Sequence, residues 1–122
     1  MKFRDVSPML ESNDLPATIR FYTEILGFKV DNTFEHEGVL NWVSFIRDEV
    51  NFMFTRPNPV MKYDRIMLSG SLYVYITDID AFYTGIKEKV TIVYPLENFI
   101  YGMREFAIKD NNGFVINFGC EV

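Results

Sequence analysis

Asp14-Leu-Pro-Ala-Thr-Ile-Arg-Phe-Tyr-Thr-Glu-Ile-Leu-Gly27 reads as a helix with both ends marked. Asp14 supplies an N-cap oxygen, Pro16 suits the first turn, and Gly27 provides the left-handed stop. Leu15, Ile19, Tyr22 and Leu26 fall on one face. The pattern then returns. Asp78-Ile-Asp-Ala-Phe-Tyr-Thr-Gly-Ile-Lys-Glu-Lys89 opens on a second Asp cap and lines up Ile79, Phe82, Tyr83 and Ile86, with Gly85 weakening its middle. Asn51-Phe-Met-Phe-Thr55 likewise returns as Val115-Ile-Asn-Phe-Gly119, and both returns share one offset of 64 (14 to 78, 53 to 117). A repeat of this size is one supersecondary unit that buries its apolar face against its twin. The seam between twins is a natural place for a ligand.

Around the two helices, segments at about 4–11, 28–35, 40–47, 50–55, 70–77, 92–97, 103–109 and 114–119 read as strands. Asp110-Asn-Asn-Gly113 is a hairpin turn between the last two, and Asp48-Glu49 stands in the equivalent place earlier. Arg56-Pro-Asn-Pro59 begins a linker. The expected fold is α+β: a single domain over 1–122, made of two βαβββ repeats at about 1–58 and 65–122, with curved mixed sheets and the helices outside. Period-two alternation then sorts the faces. Phe52 and Phe54, Leu72, Val74 and Ile76, and Phe114, Ile116 and Phe118 form greasy faces for the helices. Ser7, Met9, Asn51, Met53, Thr55, Ser71, Tyr73, Tyr75 and Asn117 lie opposite, on faces free to surround something else.

The 122 residues can bury roughly two thirds of their unfolded surface without staples. A net charge of −5 argues against nucleic acid, which needs clustered Lys and Arg, and mildly favours a cationic small ligand. One cysteine, Cys120, allows no internal disulfide and suits a reducing compartment. The N-terminal Met-Lys-Phe-Arg-Asp-Val-Ser-Pro lacks the apolar run of a signal peptide, and no stretch approaches a membrane span. The expectation is a soluble cytoplasmic protein with no membrane partner.

With Phe21-Tyr22 and Leu26-Gly27-Phe28 closing the first helix, the whole chain resembles the vicinal oxygen chelate superfamily of glyoxalases, extradiol dioxygenases, fosfomycin-modifying enzymes and bleomycin-resistance proteins. Gly102-Met-Arg-Glu-Phe-Ala-Ile-Lys-Asp-Asn-Asn-Gly113 and Ser7-Pro8-Met9-Leu10 look most like the bleomycin-resistance branch, with Met103 as an extra residue. Enzymes of this superfamily hold a divalent metal with one ligand, mostly His or Glu, from each of four strands. The resemblance puts those positions at Ser7, Met53, Ser71 and Asn117, and the repeat offset relates them pairwise. A thioether, two hydroxyls and a carboxamide are poor donors for such an ion. The expectation is therefore no metal and no other cofactor.

Among other candidates, His36 in Glu35-His36-Glu37 could suit a general base, but a lone histidine in an acidic stretch is more often solvated. Cys120 could serve as a nucleophile with His36, although nothing in the sequence joins them. Arg104 could pair with Glu105 of a partner chain, bind an anion or lie solvated on a strand, the last being commonest. Glu35, Glu37, Glu97 and Glu105 could give the site a negative field, with at most one or two pointing inward. Most of the twelve Phe must be core. Tyr73, Tyr75, Trp42 and Tyr101 differ because they sit on or near the open faces with polar handles. The resemblance further implies that Trp42 and Tyr101 stand where bleomycin-resistance proteins carry aromatics against a flat heterocyclic drug tail.

The sequence reading is a non-catalytic, metal-free binding protein of the bleomycin-resistance type. It would sequester a cationic aromatic guest in clefts of a homodimer, as an antibiotic-resistance function. Trp42, Tyr101, Tyr73, Tyr75, Ser7, Met53, Ser71 and Asn117 are its candidate ligand-binding residues, and none is catalytic. In that family the first strand crosses to the partner near the equivalent of Pro8. The competing class is a metal-dependent lyase or dioxygenase of the same superfamily, ranked lower because the chain has one histidine.

Overall fold

Tyr22 organises the first half of the chain. It is fully buried, stacks on Phe45 with ring centroids 5.3 Å apart, and meets Phe54, Phe52 and Phe28 at 5.0, 5.6 and 5.9 Å. The computed structural model describes residues 1–60 and 65–122. They form two compact units, Met1–Ile66 and Met67–Val122. The first contains β1 (Met9–Glu11), α1 (Leu15–Arg20), a π-helical turn (Phe21–Ile25), β2 (Lys29–His36), β3 (Val39–Arg47) and β4 (Val50–Thr55). The second contains β5 (Leu72–Tyr75), α2 (Ile79–Ile86), β6 (Thr91–Asn98), β7 (Met103–Lys109) and β8 (Val115–Glu121). The linker expected to begin at Arg56-Pro-Asn-Pro59 falls partly on 61–64, outside the described residues.

Each unit builds one four-stranded mixed sheet, in the orders β1-β4-β3-β2 and β5-β8-β7-β6. The β1–β4 and β5–β8 pairs are parallel and the others antiparallel. The topology is the same twice over, so the α+β reading with two βαβββ halves holds. In the second unit Phe82 and Tyr83 of α2 lie against Phe106, and Phe82 also meets Phe118. Each helix thus covers the greasy face of its own sheet and leaves the other face open.

Several local expectations change. The first helix ceases to be α-helical at Arg20 and widens into the π turn, where Leu26 N–H reaches back to Phe21 O. Arg47 closes its end by donating to Leu26 O at 2.5 Å. The first strand shrinks from 4–11 to Met9–Glu11, because Pro8 has no N–H for the ladder and only its carbonyl engages, accepting from Met53 N–H at 3.0 Å. Met9–Glu11 pairs with β4 of its own chain. Asp14 caps α1 as expected, accepting from Ala17 N–H at 3.0 Å. Asp78 does not cap α2 with its side chain; it is left-handed at φ +51°, and its carbonyl accepts from Phe82 N–H. The Asp110 turn forms as read, with Asp110 accepting from the backbone N–H of Asn112 and Phe114. Among the described residues, no helix is long and apolar enough to cross a membrane.

Candidate functional site

The open face of the second sheet gathers polar and aromatic side chains around one carboxylate. Register puts Tyr73 beside Asn117 and Tyr75 beside Gly119, while β7 sets Glu105 opposite Gly119 and Ala107 opposite Asn117. Two small residues make the crossings possible. Tyr73 passes over Gly119 to donate its phenol proton to Glu105, and a Cβ at 119 would meet that hydroxyl. Asn117 reaches over Ala107 to Tyr94, donating from Nδ2 to Oη at 2.6 Å. Tyr101, in the turn between β6 and β7, also donates to Glu105. Its ring stacks on Phe99, which meets Tyr94 edge to face at 5.5 Å. Tyr75 leans on Tyr73 at 5.0 Å.

Glu105 is 2% exposed, whereas Tyr75 and Tyr101 are 72% and 61% exposed. Burial first, then the hydrogen bond to Glu105 and its charge, hold the Tyr73 phenol far above its ordinary range. Burial also raises Tyr94, against the opposing hydrogen bond from Asn117 and with help from the charge of Glu105. Both phenols therefore remain protonated at neutral pH. Asn117 Oδ1 is buried without a hydrogen-bond partner among the described residues.

The first unit holds the other candidates. Ser7 donates to Asn51 Oδ1 at 2.7 Å, and Asn51 donates to Phe45 O at 2.9 Å. Met53 lies between Met9 and Ser44, and Trp42 between Phe34 and Thr55, all on the open face of the first sheet. Ser71 is exposed, one residue before β5. Tyr73, Tyr75, Tyr101 and Asn117 thus meet within the second unit, while Trp42, Met53 and Ser7 line the first sheet.

Arg104 lies on a part-exposed stretch of β7 and finds its partners within its own unit. It points to the helix side, donating to Asp80 at 2.6 and 3.2 Å and to Asn98 at 3.1 Å. Its hydrogen bonds pull the Asp80 carboxyl below its usual range. His36 is exposed, 3.8 Å from Glu37. Tyr94 and Phe99 were missed by the sequence reading because backbone irregularities in β6, between Ile92 and Tyr94 and again before Glu97, break the alternation that would have placed them. A glycine inside a strand was the available signal for the Tyr73 crossing.

Comparison with known proteins agrees with this architecture. A family model described as Glyoxalase/Bleomycin resistance protein/Dioxygenase superfamily matches residues 7–118. Similar solved structures include a bleomycin-binding protein from Streptomyces verticillus complexed with copper(II)-bleomycin, at 25% identity and TM-score 0.69, covering 97% of this chain and 96% of that one. TnmS3, an antibiotic binding protein from Streptomyces sp. CB03234, aligns at 21% identity and TM-score 0.80 over 100% and 99% of the two chains. TioX from Micromonospora sp. ML1 aligns at 16% and 0.79 over 98% and 100%. A search of curated proteins finds no significant match.

Proposed function

Because the chain belongs to the glyoxalase/bleomycin resistance protein/dioxygenase superfamily, we propose that it is a metal-free small-molecule-binding protein of the bleomycin-resistance type. It sequesters a cationic, aromatic, drug-like guest in clefts at a homodimer interface, in the cytoplasm. The observation that carries this reading is the open face of the second sheet, where aromatic rings surround the buried Glu105 carboxylate. Flat rings supply stacking area and the carboxylate supplies the countercharge. On the first sheet Met9 and Phe34, 58% and 55% exposed, offer apolar surface for a partner or guest.

The divalent metal of the superfamily's enzymes does not fit the residues present. The Ser7 hydroxyl is engaged with Asn51, the Asn117 amide nitrogen with Tyr94, and Met53 offers only a soft thioether. Among the described residues no group of three His, Cys, Asp or Glu could hold a metal ion. Binding by affinity alone needs no such donor set.

The test is a titration of purified protein with metal-free bleomycin, followed through the fluorescence of Trp42, the only tryptophan. Elemental analysis of the same sample runs beside it. A saturable change, with no chelator-sensitive zinc, nickel, iron or manganese near one equivalent per chain, supports the reading. A stoichiometric metal lost on chelation overturns it, as does silence towards both bleomycin and a planar cationic dye such as ethidium.

A further inference from the structure

Each phenol around Glu105 has one proton, and Tyr73 and Tyr101 both spend it on the carboxylate. What they then present to a guest is oxygen lone pairs. Glu105 keeps acceptor capacity beyond these two bonds, and Asn117 Oδ1, diagonally across the same sheet face, is a buried acceptor with no donor. Tyr73, Tyr101 and Asn117 therefore turn acceptors towards the space around Glu105. No ion pair to Glu105 forms among the described residues, since its neighbour Arg104 faces the helix and holds Asp80. A buried carboxylate compensated by neutral phenols still lacks a countercharge. Five aromatic side chains wall the same face: Tyr73, Tyr75, Tyr94, Phe99 and Tyr101.

We infer that Glu105, framed by Tyr73 and Tyr101 and flanked by Asn117, anchors a primary ammonium or amidinium group rather than a quaternary ammonium. This deepens the proposed function and rests on it. A cation with several N–H hydrogens satisfies the carboxylate, the phenol oxygens and Asn117 Oδ1 together. A trimethylammonium brings the charge but no donor and leaves every acceptor unsatisfied.

Three probes sharing one ring separate these cases: naphthylmethylamine, its N,N,N-trimethyl derivative and naphthylmethanol, each titrated by calorimetry into the intact protein. The amine should bind at least about tenfold more tightly than either of the others, the scale of one charge-assisted hydrogen bond. Glu105→Gln should abolish that preference, bringing the amine down to the affinity of naphthylmethanol. Asn117→Ala should weaken the amine by roughly threefold or more, and by more than either other probe, and serves if Glu105→Gln does not fold. Equal affinity for all three probes, or a preference that survives Glu105→Gln, overturns the inference while aromatic-guest binding stands. Failure of all three to bind at millimolar concentration overturns both.

Discussion

Gly119 has no side chain because Tyr73 occupies the space where one would be. Gly119→Ala should therefore cost about 1–3 kcal/mol, the range for overpacking, read from denaturant melts. The cost should shrink in a Tyr73→Leu background, since the same atoms are then absent. The Tyr73 phenol also sets a pH dependence. Its folded pKa is raised above its unfolded value, so its stabilising contribution is fully present below about pH 10 and is lost as pH climbs beyond, when the unfolded chain gives up its proton first. Melts across the alkaline range should show that decline, and Tyr73→Phe should flatten it. Trp42, half-buried on the open face of its sheet, is the sharpest residue-scale test of guest binding. Trp42→Ala should weaken bleomycin by roughly 3- to 30-fold if the ring stacks on the guest. If it fills core instead, the variant loses roughly 3–5 kcal/mol of stability and its folded fraction binds normally.

The two helices show where a repeated sequence stops meaning a repeated structure. Asp14 and Asp78 stand at equivalent positions, yet the first accepts a cap hydrogen bond and the second sits at φ +51° without one. Asp14→Ala should cost about 1 kcal/mol. Asp78→Gly should stabilise or leave the fold unchanged, because glycine takes that backbone conformation without strain. Thermal melts should show Asp14→Ala lowered and Asp78→Gly not lowered if these roles are right. The same contrast explains what the sequence made legible. Period-two alternation in β4, β5 and β8 put Met53, Tyr73, Tyr75 and Asn117 on the open faces, since those strands run regularly. Glu105 stood out only as one carboxylate among four, because its importance comes from Tyr73 and Tyr101 converging across strands. That convergence depends on register and on a small residue at 119, which spacing along the chain does not encode. The π turn was equally hidden: its residues are ordinary helix formers, and it is the packing of Tyr22 among five phenylalanines that accompanies the wider turn.

At the scale of the molecule, the proposal of a homodimer predicts twice the 14.3 kDa chain mass in sedimentation at micromolar concentration. A monomer there would remove the interface clefts from the proposed function. Whatever the assembly, β2 imposes a separate requirement on it. This strand lies at the end of its sheet, and all eight of its residues are exposed. Such a rim can recruit foreign strands and seed precipitation. Two register shifts, between Val30 and Asn32 and between Phe34 and Glu35, distort it, and Lys29, Asp31, Glu35 and His36 decorate it. Bulges and charges of this kind make an edge a poor template. A variant with Asp31→Val and Glu35→Val would keep its core and its open faces intact, yet it should become turbid on concentration while the parent stays clear. The edge strand is thus a safeguard of colloidal stability, one that folding energetics alone would not reveal.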